Sequence, residues 1–117
     1  MRRLTPFAIV AALALGACTS DDPEPTAPSA PSQTASVTAS ATANTFSPST
    51  VTIARGGTVT WTFGARPHNV TFGATTGAPA SVPTTTNAQL ARQFPTAGSF
   101  AYDCTLHAGM SGTVVVQ

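Results

Sequence analysis

The segment that decides the fold lies near the C-terminus and reads Tyr102-Asp103-Cys104-Thr105-Leu106-His107-Ala108-Gly109-Met110. Cys104, His107 and Met110 offer a thiolate, an imidazole and a thioether, which are soft or borderline metal ligands. Phe100 and Tyr102 precede Cys104 at every second position, a pattern that predicts a half-buried strand. We therefore expect a strand that delivers the thiolate, followed by a tight turn that returns His107 to the same metal.

The fourth ligand must come from elsewhere in the chain. The only other histidine is His68, in the segment Arg66-Pro67-His68-Asn69-Val70. Two imidazoles, a thiolate and a weak axial thioether are the ligand set of blue-copper electron-transfer sites. Zinc is the competing metal, but zinc prefers closed sets of ligands without a thioether. The sequence therefore predicts one type 1 copper ion bound by His68, Cys104, His107 and Met110.

Residues 35–117 have the pattern of a small all-β domain. Apolar residues alternate with small or polar ones around 51–53, 59–63 and 100–104, as expected for half-buried strands. Turn-forming residues such as Ser47-Pro48 and Gly56-Gly57 separate these runs. Several short strands punctuated by turns predict a β-sandwich. We expect residues 73–89 to form a long loop and residues 90–94 one more strand.

The N-terminal residues 1–17 have the composition of a secretory signal peptide. Arg2 and Arg3 precede an apolar stretch from Leu4 to Leu15. The following Leu15-Gly16-Ala17-Cys18 resembles the lipobox of bacterial lipoproteins. That resemblance implies an exported protein, anchored to a membrane by lipid on Cys18 and facing the periplasm or the cell exterior. An ordinary signal peptide with a chance cysteine is the alternative.

Residues 18–34 are expected to form a disordered linker behind this anchor. The segment is rich in Pro, Ala, Ser and Thr and contains no large apolar side chain. Such a composition cannot bury enough surface to offset the entropy of ordering the chain. Cys18 lies outside the foldable region, so we expect no disulfide with Cys104.

The domain resembles the cupredoxins of the plastocyanin and amicyanin group over essentially all of residues 35–117. The matching segments are Phe46-Ser47-Pro48, Val51-Thr52-Ile53, Gly56 to Trp61, His68-Asn69-Val70, Gly98 to Tyr102, Cys104 to Met110 and Gly112 to Val116. The spacing of His107 and Met110 is nearer to amicyanin than to plastocyanin. The resemblance implies a Greek-key β-sandwich in which Asn69 and Thr105 hydrogen-bond near the metal and His107 is the exposed electron port.

These features together predict a monomeric one-electron carrier with transient redox protein partners, and not an enzyme. Copper enzymes of this superfamily need additional histidines for a second copper centre, and none remain. The chain has no lysine and, without its first residues, is near neutrality, so no nucleic-acid partner is expected. A lipoprotein for copper storage or delivery is the alternative. Arg66 is either a docking charge near the site or a solvated arginine.

Overall fold

The computed structural model describes residues 28–117, and the expected signal peptide, the lipid-anchor Cys18 and the linker as far as residue 27 lie outside this range. The described chain contains eight strands: β1 Ser32–Ala39, β2 Phe46–Ser47, β3 Thr50–Phe63, β4 His68–Phe72, β5 Val82–Thr85, β6 Ala88–Gln93, β7 Gly98–Asp103 and β8 Ser111–Val116. No helix within these residues is long and apolar enough to cross a bilayer.

The long strand β3 belongs to both layers of the fold. Its first part, 50–53, pairs in parallel with β8, and its second part, 58–63, lies between β1 and β6. The bend between the two parts requires glycine, because Gly56 has a φ of 84° and a Cβ on Gly57 would lie 2.7 Å from the Gln33 carbonyl oxygen. One layer is thus β2-β1-β3-β6, and the other is β3-β8-β7-β4-β5.

Aromatic side chains from the two layers meet in one core. Trp61 of β3 is fully buried and lies edge-on to Tyr102 of β7, with ring centroids 5.5 Å apart. Phe46 of β2 also lies edge-on to Tyr102, with ring centroids 4.9 Å apart. Phe72 of β4 also packs edge-on against Trp61. Because both layers contribute to the same apolar cluster, the predicted all-β sandwich is confirmed.

The folded domain begins slightly earlier than the predicted boundary at residue 35. Strand β1 starts at Ser32, and Thr34 already pairs with Thr58 of β3. The side chains of Ser32, Gln33 and Thr34 are exposed, so the backbone ladder and not apolar burial orders them. A boundary drawn from the apolar pattern alone therefore falls three residues too late.

The prediction of a continuous loop over residues 73–89 was wrong in its second half. This segment contains β5, which pairs antiparallel with β4, and the start of β6. Within β5 only Val82 is buried, so no alternating apolar pattern marks the strand. Asn87, with a φ of 48°, turns the chain from β5 into β6. Strand β5 forms because its backbone pairs with β4, so the pattern of apolar side chains could not predict it.

Candidate metal centre

The strand directions bring the predicted ligands to one end of the sandwich. Strand β7 runs antiparallel to both β4 and β8. The first residue of β4 is His68, Cys104 directly follows the last residue of β7, and Met110 directly precedes β8. The start of β4, the end of β7 and the start of β8 therefore lie at the same edge.

Three donor atoms converge at this edge. The Cys104 Sγ lies 3.8 Å from the His68 Nδ1 and 3.5 Å from the His107 Nδ1. All three donor atoms lie within 4.8 Å of one another. Donors that share one ion in a plane, each about 2.0–2.3 Å from it, stand roughly 3.5–4 Å apart. The spacing therefore fits one transition-metal ion, and the Cys and His donors suit copper.

The His68 imidazole is oriented by a backbone carbonyl. His68 is completely buried, and its Nε2 lies 2.8 Å from the Ser40 carbonyl oxygen. A carbonyl only accepts, so Nε2 carries the ring proton and donates it to Ser40. The unprotonated Nδ1 is then presented to the metal, as in metal sites where the outer nitrogen fixes the tautomer. Sequence reasoning missed Ser40 because every residue has a carbonyl and no residue type marks this one.

The loop that carries the other three candidate ligands is closed by its own backbone. The Cys104 amide donates to the Met110 carbonyl at 2.9 Å, and the Met110 amide donates to the His107 carbonyl at 3.3 Å. Gly109 has a φ of 75°, a conformation that L side chains rarely adopt. Met110 is buried at the point where the loop rejoins the sheet. The loop geometry thus depends on a small residue directly before the methionine.

Two hydrogen bonds tie the start of β4 to the ligand loop. The Asn69 Nδ2 donates to the Thr105 Oγ1 at 2.7 Å, and the Thr105 amide donates to the Asn69 Oδ1 at 2.9 Å. The predicted Asn69–Thr105 contact is confirmed. Since each residue directly follows a candidate ligand, this pair fixes the positions of His68 and Cys104 relative to one another.

His107 is the half-exposed member of the ligand cluster. The Arg66 Nε lies 3.3 Å from the His107 Nε2, and the Arg66 Nη2 donates to the Asn44 Oδ1 at 2.8 Å. Desolvation, followed by electrostatic repulsion from Arg66 and from the neighbouring His68, lowers the pKa of the His107 imidazole. A lowered pKa keeps the ring neutral, which is the form that binds a metal.

The segment 40–45 contacts the outer nitrogen of His68 directly and that of His107 through Arg66. Ser40 contributes the carbonyl that accepts from His68, and Asn44 holds the arginine that lies against His107. The segment is compact, because the Ser40 Oγ accepts from the Thr42 and Ala43 amides and the Ser40 amide donates to the Thr45 carbonyl. No metal-ligand motif in the sequence points to this segment, so Asn44 was also missed.

Comparisons with known proteins agree with this geometry. Residues 33–117 match the family of copper binding proteins described as plastocyanin/azurin. The chain is 38% identical over 89 residues to plastocyanin from Scenedesmus fuscus, covering 62% of this chain and 86% of that protein.

Similar solved structures include a Cu(I) form of an amicyanin mutant and a mutant plastocyanin of fern. The amicyanin has a TM-score of 0.63 and 29% identity, over 73% of this chain and 83% of that one. The fern plastocyanin has a TM-score of 0.64 and 27% identity, over 71% of this chain and 100% of that one. The family match, the similar structures and the donor spacing show that the chain belongs to the plastocyanin/azurin family of copper binding proteins, with copper as its cofactor.

Proposed function

We propose that this protein carries single electrons at a bacterial membrane surface, using one type 1 copper ion bound by His68, Cys104, His107 and Met110. Bound copper supplies the one-electron couple between Cu(II) and Cu(I). The observation that carries the proposal is the convergence of two imidazoles and one thiolate within 4.8 Å, at the edge where Met110 enters β8. A thioether beside this donor set favours copper over zinc.

Groups that are not themselves metal ligands hold these donor atoms in position, which suits electron transfer. The Ser40 carbonyl fixes His68, and the Asn69–Thr105 pair fixes the start of β4 against the loop. The Cys104–Met110 backbone bond closes the loop itself. Because separate anchors act on separate ligands, the donors keep their positions when the charge of the site changes. A site that does not rearrange exchanges electrons with little reorganisation energy.

His107 is the electron port in this proposal. Its ring is partly exposed, whereas the candidate ligands His68, Cys104 and Met110 are buried. Leu106 is the one exposed large apolar residue among residues 28–117, with 47% of its surface accessible, and it is next to His107. The neighbouring Ala108 and Gly109 are also exposed. A small apolar patch around the port suits brief docking with a redox protein.

The membrane location rests on the sequence of the first eighteen residues. A lipid on Cys18 would anchor the exported protein, and more than one acyl chain is needed for stable anchoring. Extended at roughly 3.1 Å per residue, residues 18–31 would reach about 40 Å from the membrane to β1. A tether of this length raises the effective concentration of the carrier near a membrane-bound partner. The domain itself is proposed to act as a monomer.

The test is the visible spectrum of the oxidised, copper-loaded protein. We expect intense absorption from charge transfer between the Cys104 thiolate and Cu(II), and we expect Cys104→Ser to abolish it because a hydroxyl is not a soft ligand. Cys18→Ser is the matched control, since it should keep the colour and lose only partition into the detergent phase. Colourless wild-type protein that retains zinc in preference to copper would refute the electron-carrier assignment.

Copper storage or delivery remains the alternative function. Its supporting observation is the half-exposed His107, through which the site is reached from outside. The burial of His68, Cys104 and Met110 opposes release of the metal. Incubating the reduced protein with a Cu(I) chelator distinguishes the two functions. A carrier should keep its copper in the presence of the chelator and over many rounds of electron exchange. A delivery protein should transfer its copper to the chelator stoichiometrically.

A further inference from the structure

The three arginines of the described chain have different surroundings. The Arg92 guanidinium donates to the carbonyl oxygens of Ala80, Ser81 and Ala91, so it stabilises the chain around β6. Arg55 is exposed, and its amide bonds Gln117 at the end of β8 that lies away from the metal centre. Within residues 28–117, Arg66 is therefore the one arginine in contact with a candidate ligand.

Arg66 is held in a fixed position. Asn44 accepts from its Nη2 at 2.8 Å, the Nε lies 3.3 Å from the His107 Nε2, and the side chain is half-buried. When Nδ1 of His107 binds a metal, Nε2 carries the ring proton, and the bond to Asn44 is then what keeps the guanidinium at this edge. A cation that is already ordered loses little entropy when a partner binds it.

No carboxylate of the described chain forms an ion pair with Arg66. Residues 28–117 contain three arginines and one acidic residue, Asp103, which gives a net charge of +2. Asp103 lies at the metal-centre edge, where β7 ends opposite Ser111 of β8, but the Arg66 guanidinium bonds neutral groups instead. The port thus presents one fixed positive charge beside the exposed Leu106.

We propose that Arg66 is the recognition charge of the electron-transfer face, and that the redox partner carries carboxylates beside its own electron-entry point. This inference rests on the electron-carrier function proposed above. The apolar patch at Leu106 gives close contact. Arg66 favours a partner surface of negative charge and steers its approach. A protein partner fits better than an anionic lipid headgroup, because the port must face a redox centre and a lipid has none.

The first test uses two inorganic oxidants of opposite charge on the reduced, copper-loaded full chain in detergent. Ferricyanide is anionic, and tris(phenanthroline)cobalt(III) is cationic; each takes one electron. We expect Arg66→Gln to slow oxidation by ferricyanide and to speed oxidation by the cobalt complex, each by about threefold at low salt. Both effects should disappear at high ionic strength, because mobile ions screen exposed charges.

The opposite signs separate recognition from a change in reduction potential. A lower potential would make both oxidants faster, whereas loss of a recognition charge changes them in opposite directions. Arg66→Lys should preserve most of the wild-type behaviour. Arg55→Gln is the control, because it removes one positive charge at the end of β8 that lies away from the metal centre. Both oxidation rates should then equal those of the wild-type protein within experimental error. Asn44→Ala should give a weaker version of the Arg66→Gln effect, because the guanidinium is no longer held.

The second test uses a protein partner of defined charge. A lysine-rich c-type cytochrome and the same cytochrome after succinylation of its lysines differ mainly in the sign of their surface. We expect electron exchange about tenfold faster with the acidic form at low salt, and Arg66→Gln should reduce this preference several-fold.

Three outcomes would overturn the inference. Equal rates with both cytochromes, or rates that Arg66→Gln leaves unchanged, would refute the role of Arg66 while the electron-carrier function stands. An Arg66→Gln variant that loses binding to anionic vesicles but keeps its cytochrome preference would reassign the residue to lipid contact. Protein that exchanges electrons with none of these probes would refute the proposed function and this inference together.

Discussion

The two histidines of the metal centre have the same chemistry but opposite surroundings. His68 begins a strand, is completely buried and donates to the carbonyl of Ser40. His107 lies on a loop, is half-exposed and has the guanidinium of Arg66 against its outer nitrogen. The difference indicates that the His68 side of the site, the buried side, holds the metal in place. The His107 side, the open side, is accessible to solvent and to partner proteins.

The largest expected effect comes from deleting each imidazole in turn. His68→Gly removes a buried ring and leaves the Ser40 carbonyl without its donor, which should cost about 3 kcal/mol or more of unfolding free energy. His107→Gly removes a half-exposed ring with no buried partner and should cost much less. The check is chemical denaturation of the two copper-free variants, with wild-type protein as the reference.

External imidazole extends this comparison to the metal site. In copper-loaded His107→Gly, added imidazole should enter from solvent and restore the visible absorption. In His68→Gly the same concentration should restore little, because the vacated position is sealed by Ser40 and the ends of the strands. Equal rescue of the two variants would show that the buried and open sides do not differ in access.

A smaller effect is expected from the buried side at Met110. Met110→Gln replaces a thioether with an amide oxygen, which is a harder donor and favours Cu(II). We expect the reduction potential to fall by about 60 mV or more, which corresponds to a tenfold shift of the one-electron equilibrium. Met110→Leu, which has no donor, is the control and should raise the potential. Voltammetry checks both, and the protein should remain coloured.

The smallest expected effect concerns the proton equilibrium on the open side. The pKa of His107 in the folded copper-free protein should lie below the ordinary value of about 6.5. Since the unfolded chain then binds a proton more readily, this group should reduce stability as the pH falls below about 6.5 and have no effect well above it.

An NMR titration of the copper-free protein measures the His107 pKa directly. Arg66→Gln should move this pKa upward, because it removes a positive charge 3.3 Å from the ring. Arg55→Gln should leave it unchanged. A His107 pKa at or above the ordinary value would contradict the electrostatic description of the open side.

The sequence revealed the candidate ligands better than the groups that orient them. Residue type and spacing marked Cys104, His107 and Met110, since few side chains bind soft metals and these three are close together. The alternating pattern also predicted the strands that carry Trp61 and Tyr102 into the core. In contrast, Ser40 acts through its backbone carbonyl, a group that all residues share.

Backbone pairing likewise escaped prediction. Strand β5 and the first residues of β1 are ordered by hydrogen bonds to neighbouring strands while their side chains are mostly exposed. The sequence left open whether Arg66 is a docking charge near the site or a solvated arginine, because its position against His107 depends on Asn44, from a different segment of the chain. Long-range backbone and polar contacts of this kind leave no local pattern to detect.

The backbone hydrogen bond between Cys104 and Met110 has a consequence for which part of the site tolerates a change in loop length. It closes the connection between β7 and β8, whose pairing continues from Asp103 opposite Ser111. Insertions or deletions within 105–109 therefore fall inside a closed hairpin connection and leave the rest of the sandwich unchanged. The length of this connection can therefore change without altering the pairing of β7 with β8, whereas His68 begins a strand whose position is set by its pairing with β5 and β7.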